Sequence, residues 1–249
     1  MVAVPVQQGL VVCSDKRLYN ETTETYRDDF VKIQKVSSHA LFAATHTTGF
    51  LDKATGKIEF NVFDITDQFA KQHGLASGKE FWDGLKKEIR DQLLLYLSKR
   101  KYEDWPATDT RNNNLLFNLV FYAIDGKNIR SYSMSVFYEK APTPVIYIPD
   151  AVSEIVKTPK LSGKGKDVIA YLSSDPLAAR DPLILRFDES HFDVTKTSAA
   201  DAVEFAERLF VLTNSALPQA QVSAVHDCAL ISFEKGFEWI NAGTSPAHK

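Results

Sequence analysis

The alternation of hydrophobic and polar positions predicts strands in the first fifty residues. Four short runs, at positions 2–6, 10–14, 30–36 and 40–45, are rich in β-branched and aromatic side chains. Gly9 stands between the first two runs, where a tight hairpin favours a residue with few conformational restrictions. The polar stretch 20–29 separates the second run from the third. This part of the chain therefore predicts two pairs of short strands.

A helical period begins after Ser77. Ser77 and Glu80 have the spacing of a capping box, in which each residue hydrogen-bonds the other's backbone N–H. The apolar residues that follow recur at helical spacing on one face: Phe81, Trp82, Leu85, Ile89, Leu93, Tyr96 and Leu97. Charged residues occupy the opposite face. The pattern predicts a helix of about twenty residues here, preceded by a shorter helix around 66–72.

The second half of the chain returns to strands and then to one more helix. Strand-like runs cover 115–124, 129–138 and 145–148, and Asp125-Gly126 is a typical hairpin turn between the first two. Ser198 and Asp201 form a second capping box at the start of an amphipathic segment. Two further strands, 229–233 and 238–240, are joined around Lys235-Gly236.

The order of these elements is strands, helices, strands, helix and strands, without a linker between them. Runs of strands followed by runs of helices favour antiparallel sheets with segregated helices over alternating parallel units. We therefore predict an α+β fold, with two antiparallel sheets and helices packed outside them. The chain is expected to form a single domain over 1–249, with an irregular insertion around 149–193.

Composition and charge narrow the class of protein. With 249 residues, 44% hydrophobic and 24% charged, the chain is neither disordered nor a disulfide scaffold. A net charge of −3 argues against an electrostatic nucleic-acid partner. No apolar run reaches the roughly 18–20 residues that span a bilayer, so we expect no membrane span. The N-terminus lacks the features of a signal peptide, which favours a cytoplasmic protein. An exported form whose signal peptide has been removed fits the sequence too.

The two cysteines, Cys13 and Cys228, each lie within an apolar stretch. We interpret them as buried free thiols in a reducing compartment. His226 and Cys228, two residues apart on a strand, share a face in principle as a thiolate–imidazole pair, but core packing is the simpler interpretation. The histidines show no metal-ligand spacing, so neither a metal nor a cofactor is expected.

Two segments near the N-terminus carry the most specific pattern. Residues 9–17 read G-L-V-V-C-S-D-K-R, and residues 31–39 read V-K-I-Q-K-V-S-S-H. With the order of strands and helices and the Gly163-Lys164-Gly165 turn, they resemble the proteasome subunits and their bacterial relatives. The resemblance covers nearly the whole chain in order and spacing. It implies the family's four-layer αββα sandwich, with two antiparallel sheets between two helix layers, known as the N-terminal-nucleophile (Ntn) hydrolase fold.

The resemblance also implies roles for particular residues. Active members cut peptides with an N-terminal threonine, whose hydroxyl is the nucleophile and whose α-amine is the base. Asp15 matches the family's aspartate, Arg17 the arginine two positions later, and Lys32 the catalytic lysine. Ser223 is what remains of a late motif that supports the terminal amine. Without the resemblance, Asp15 and Lys32 would be interpreted as a plain buried ion pair.

Several positions depart from the family pattern. Counting back from Asp15 places the nucleophile about two residues before Met1, outside this chain. In the region that binds substrate and the oxyanion, His46 replaces a glycine and is followed by Thr47. Tyr19 replaces a small residue that pairs with substrate, and Lys164 replaces a serine. The chain also has only 11 glycines, about 4% of its residues against a usual ~7%.

These observations leave two main hypotheses. In the first, the protein is a threonine-type peptidase or amidase of the Ntn hydrolase class, whose nucleophile is exposed by upstream processing. In the second, it is a catalytically inactive structural or binding subunit with the same fold. Both imply a homo-oligomer or ring, because family members assemble through their helices. An unrelated two-layer binding protein is a third possibility.

Overall fold

A computed structural model describes residues 1–20, 25–27, 30–46, 48–51, 55, 57–73, 79–108, 110, 113–162, 181–188, 191–216 and 222–241. Contacts between residues divide the chain into two compact units. The first unit comprises Met1–Ala43, Tyr122–Arg130 and Glu154–Lys249. The second unit comprises Ala44–Phe121 and Ser131–Ser153.

The elements alternate as strands, helices, strands, helices and strands along the described residues. The strands are β1 (Val2–Val6), β2 (Gly9–Asp15), β3 (Leu18–Asn20), β4 (Thr25–Arg27), β5 (Ile33–Ser37), β6 (Ala40–His46), β7 (Gly49–Leu51), β8 (Ile58–Asn61), β9 (Leu115–Asp125), β10 (Asn128–Glu139), β11 (Val145–Tyr147), β12 (Val152–Ile155), β13 (Lys160–Leu161), β14 (His226–Ser232) and β15 (Gly236–Asn241). The α-helices are α1 (Val62–His73), α2 (Lys79–Ser98), α3 (Pro182–Arg186) and α4 (Ala199–Ala216).

The first unit contains a five-stranded antiparallel sheet in the order β13-β1-β2-β14-β15. Its three interior strands, β1, β2 and β14, are buried along almost their whole length. Helix α4 packs on one face of this sheet, where Phe205, Ala206 and Leu209 meet the apolar side chains of β1, β2 and β14. The close approach of β2 and β14 requires Gly9, because a Cβ atom there would lie 2.0 Å from the carbonyl oxygen of Ile231.

A second antiparallel sheet has the order β11-β10-β9-β6-β5, with β12 paired to β10. Within the second unit, the apolar face of α2 packs on its strands through aromatic contacts. Trp82 lies edge-on to Phe121, with ring centroids 4.8 Å apart, and stacks on Tyr132 at 5.1 Å. Helix α1 lies beside α2. Two short hairpins, β3–β4 and β7–β8, form separate two-stranded sheets.

The predicted α+β class with two antiparallel sheets is confirmed. The hairpin at Asp125-Gly126 is present, with Gly126 at a φ of 61°. The helix expected at 66–72 begins earlier, at Val62, because the Asn61 side chain accepts a hydrogen bond of 3.0 Å from the Phe63 amide and caps it. Ser77 and the Gly163-Lys164-Gly165 turn lie outside the described residues.

The interpretation of the cysteines as free thiols is wrong. Cys13 and Cys228 form a disulfide between β2 and β14, with their Cα atoms 4.1 Å apart. They face each other directly in the register of the two strands, which is why residues 215 positions apart can bond. A thiolate–imidazole pair of His226 and Cys228 is therefore excluded. No helix in the described part of the chain is long and apolar enough to cross a membrane.

Candidate functional site

Asp15 and Lys32 form an ion pair within the first unit. Asp15 ends β2, and Lys32 immediately precedes β5, which belongs to the other sheet and lies against β2. The Lys32 Nζ atom lies 3.0 Å from Oδ1 of Asp15, and the two side chains are 14% and 9% exposed. The pair is therefore shielded, and its attraction is stronger than that of a surface salt bridge.

Arg17 holds the same carboxylate and reaches the loop before β14. Its backbone N–H donates a hydrogen bond of 3.1 Å to Oδ1 of Asp15. Its Nη1 atom donates to the carbonyl oxygen of Val222 at 3.4 Å. The neighbouring Ser223 is buried, and its hydroxyl oxygen accepts a hydrogen bond of 3.0 Å from the Val225 amide. The structure thus brings Asp15, Lys32 and Arg17 together, and it links Ser223 to them through Val222.

The α-amine of Met1 lies in the electric field of this pair. The amine is buried and donates a hydrogen bond of 3.3 Å to the carbonyl oxygen of Ser162, whose own N–H donates to the Met1 carbonyl oxygen at 3.1 Å. Burial lowers the pKa of the Met1 amine to about 6, while the charge of Asp15 acts to raise it and the charge of Lys32 to lower it further. The amine is therefore mostly neutral at pH 7.

The register of β1 and β2 places Met1 next to the end of β2. The β1–β2 hairpin turns over only two residues, Gln7 and Gln8, and Val2 pairs with Cys13. The same register places Met1 level with Ser14, beside Asp15. Counting along the sequence could not reveal this, because the length of the turn decides which residue returns to the strand end.

This arrangement can perform part of an acid–base reaction. A neutral amine close to pH 7 is a good proton acceptor, and a lysine–aspartate pair beside it stabilises a developing negative charge. The thioether of Met1, however, has no proton to lose and is a poor nucleophile. The described residues therefore supply a base and an activating pair at this place, and Met1 adds no hydroxyl or thiol.

The remaining predicted site residues lie elsewhere or outside the described residues. His46 ends β6 in the second unit, with an exposed side chain whose Nδ1 lies 3.1 Å from the Thr45 hydroxyl. Its φ of 70° lies in the left-handed region that favours glycine. Tyr19 is the middle residue of β3 and pairs with Tyr26. Thr47 and Lys164 lie outside the described residues.

A second buried ion pair could not be recognised from the sequence. Lys16 Nζ lies 3.4 Å from Oδ1 of Asp227, and the side chains are only 2% and 1% exposed. A lysine within the motif and an aspartate within an apolar strand were the available signals, but nothing in the sequence pairs them. In the part of the chain that the structure describes, no group of three or more His, Cys, Asp or Glu residues comes close enough to hold a metal.

Neither a protein-family model nor a curated protein matches the chain. Among solved structures, the chain is similar to Anbu (ancestral beta-subunit) from Yersinia bercovieri, with 14% identity over 98% of this chain and 88% of that one and a TM-score of 0.49. Anbu from Hyphomicrobium sp. strain MC1 has 12% identity over 98% and 88%, with a TM-score of 0.42. Eukaryotic HslV from Trypanosoma brucei has 10% identity over 91% and 95%, with a TM-score of 0.37. Identities in this range concern the fold alone.

Proposed function

We propose that Met1, Asp15 and Lys32 mark an N-terminal-nucleophile site, of the kind that hydrolyses peptide or other amide bonds. The observation that carries this proposal is the meeting of a buried terminal amine with a shielded lysine–aspartate pair. Burying charges costs several kcal/mol per ion before compensation, so a sandwich that needed only to fold would gain little from them. The resemblance of residues 9–17 and 31–39 to the proteasome subunits supports the same assignment.

The chemistry needs a hydroxyl or thiol on the residue that carries the amine. The neutral amine would take the proton of that group, and Lys32, held by Asp15, would stabilise the anion that attacks the substrate carbonyl carbon. The amine product would leave with a proton from the terminal ammonium, and water would then hydrolyse the ester or thioester. In this proposal, the residue at position 1 decides whether the site is active.

A second candidate function follows from Met1 itself. With methionine at this place the site has its base and its activating pair but no nucleophile at position 1. The resemblance favours the same conclusion, because His46 replaces the glycine that supplies the family's oxyanion hole. In this form the protein acts as a non-catalytic structural or binding subunit, and we expect a homo-oligomer or ring in either case.

The test compares two variants in which the first residue is replaced by Thr or by Val, whose side chains have nearly the same shape. Met1→Thr and Met1→Val chains, each expressed behind an additional initiator methionine that is removed, differ by one hydroxyl. Intact mass confirms the N-terminus, and a panel of fluorogenic peptide amides reports hydrolysis. We expect the Met1→Thr chain to hydrolyse the peptides and the Met1→Val chain to be inactive. Adding Lys32→Met to the Met1→Thr chain should lower its rate of hydrolysis at least 100-fold.

Two results would contradict the proposal of a hydrolytic site. If the Met1→Thr chain is no more active than the Met1→Val chain, only the function as a non-catalytic subunit remains. Turnover by the chain that retains Met1, unaffected by Lys32→Met, would place the reaction at another site. Sedimentation velocity on the same samples measures the expected oligomer independently of activity.

A further inference from the structure

The second buried ion pair, Lys16–Asp227, has no role in the proposed chemistry. Its two atoms lie 3.4 Å apart, and both side chains are almost completely buried. The Lys32 side chain is more accessible, at 14% exposure, so Lys16 is not the better placed of the two lysines to meet a reacting group. Replacing a buried ion pair with apolar residues is often neutral or stabilising, so stability alone is a weak reason for this pair.

The backbone of Lys16 connects both members of the Asp15–Lys32 pair. Lys16 follows Asp15 directly in the chain. Its carbonyl oxygen accepts a hydrogen bond of 3.2 Å from the amide of Phe30, two residues before Lys32. Its own amide donates to the carbonyl oxygen of Val225 at 3.0 Å, next to β14. A shift of the Lys16 backbone would therefore move the segments that present Asp15 and Lys32.

The side chain of Lys16 is anchored to the most firmly fixed part of the sheet. Asp227 lies in β14 opposite Ser14, between the pair His226–Asp15 and the disulfide-bonded pair Cys228–Cys13. The ion pair thus holds Lys16 to a strand that is covalently joined to β2. The segment 30–32 is joined to this anchor by the hydrogen bond from Phe30 to Lys16 and by the Lys32 side chain.

We infer that Lys16 and Asp227 are positioning residues, which fix the end of β2 and the start of β5 so that Asp15 and Lys32 meet beside the amine of residue 1. This inference rests on the proposed function for its purpose, but its geometry is testable without any catalytic activity. Among the residues that the structure describes, Asp15, Lys32 and the carbonyl oxygen of Ser162 act on the amine.

The readout is the titration of the Met1 amine. The chain has only two methionines, Met1 and Met134, so protein labelled with ¹³C at methionine Cα gives two resonances. The Met1 resonance follows protonation of its own amine, and Met134 serves as an internal control. The protein is prepared with methionine aminopeptidase inhibited, and intact mass confirms that Met1 is present.

The decisive variant replaces both charges, Lys16→Met with Asp227→Leu, so that neither partner is left as an uncompensated buried charge. We expect it to remain folded and the titration midpoint of its Met1 amine to fall further below the ordinary value, by about half a pH unit or roughly threefold in proton affinity, because Asp15, which raises that pKa more than Lys32 lowers it, is no longer held beside the amine. Lys86→Met with Asp150→Leu, which removes another lysine–aspartate pair, is the matched control and should leave the midpoint unchanged.

A second double variant keeps the test decisive if the apolar one does not fold. Lys16→Gln with Asp227→Asn retains the size and hydrogen-bonding capacity of the pair without its charges, and it should shift the midpoint in the same direction. A folded variant of either kind with an unchanged Met1 midpoint overturns the inference, whatever its stability. In the Met1→Thr chain, the same double variants should lower kcat at least tenfold. If that chain is inactive, the proposed function fails while the titration still decides this inference.

Discussion

Lys32 donates a hydrogen bond from Nζ to Oδ1 of Asp15 across 3.0 Å, and this pair joins the end of a strand in one sheet to the start of a strand in the other. The buried amine of Met1 lies in the field of both charges. Burial is the main reason that the pKa of the amine is lowered, and the two charges adjust its proton affinity in opposite directions.

Removing either charge should shift the Met1 amine in a predictable direction. Lys32→Met removes a positive charge, so the pKa of the Met1 amine should rise above about 6. Asp15→Asn removes a negative charge, so the same pKa should fall below that value. The methionine ¹³Cα titration measures both shifts, and Lys57→Met, on the surface of the second unit, is the control. Shifts of the same sign in both variants would contradict the arrangement.

The buried amine should make stability depend on pH between about 6 and 8. Its pKa is lowered from 8.0 to about 6 by burial, so the unfolded chain binds more protons than the folded one in this window. The free energy of unfolding should therefore increase as the pH rises from 6 to 8, by up to about 2 kcal/mol. Urea unfolding of protein that retains Met1 measures the change.

A control is needed to assign that measurement to the Met1 amine. In Asp15→Asn, the lower limit of the pH window should move below 6 together with the titration of the Met1 resonance. A pH dependence that does not follow the Met1 midpoint would show that other groups are responsible.

The disulfide should contribute substantially to stability. It closes a loop of more than two hundred residues, because Cys13 and Cys228 are 215 positions apart. Cys13→Ala with Cys228→Ala should therefore lower the free energy of unfolding by about 2–5 kcal/mol. Urea unfolding with and without reductant measures this, and the double variant, which has no disulfide, should be insensitive to reductant. Two reactive thiols in unreduced, denatured protein would disprove the bond.

The capping box at the start of α4 should show a separate, acidic pH dependence. The pKa of Asp201 is lowered to about 2, chiefly because it accepts hydrogen bonds from the Ser198 hydroxyl and from Arg186. Its stabilising contribution is present above pH 4 and is lost as the pH falls toward 2. Asp201→Asn should cost about 1 kcal/mol at pH 7 and much less at pH 2, whereas Glu204→Gln on the exposed face should cost little at either pH.

Position 46 should tolerate glycine better than a β-branched residue. His46 has a φ of 70°, where a β-branched side chain collides with the backbone and glycine does not. His46→Val should lower the free energy of unfolding by about 1–2 kcal/mol, while His46→Gly should be close to neutral, because relief of strain offsets the flexibility gained by the unfolded chain. Equal losses in both variants would argue against strain at this position.

Much of the local structure could be predicted from the sequence. The apolar residues of α2 recur at the helical period, and all seven on its predicted face are buried. Ser198 and Asp201 bond each other as a capping box should. Such features depend on residues a few positions apart, and their geometry follows from the regular spacing of helices and strands. The resemblance of residues 9–17 and 31–39 to a known family then indicated Asp15 and Lys32 as candidate site residues.

The rest depended on contacts between residues that are far apart in the chain. Lys16 and Asp227 are 211 positions apart, and Cys13 and Cys228 are 215. Their pairing follows from the antiparallel register of β2 and β14, which is set by packing and by the turns between strands. The two-residue turn between β1 and β2 places Met1 level with Ser14. The sequence by itself determined the elements and the α+β class, whereas the tertiary structure decided which charges are buried together and which distant residues lie beside them.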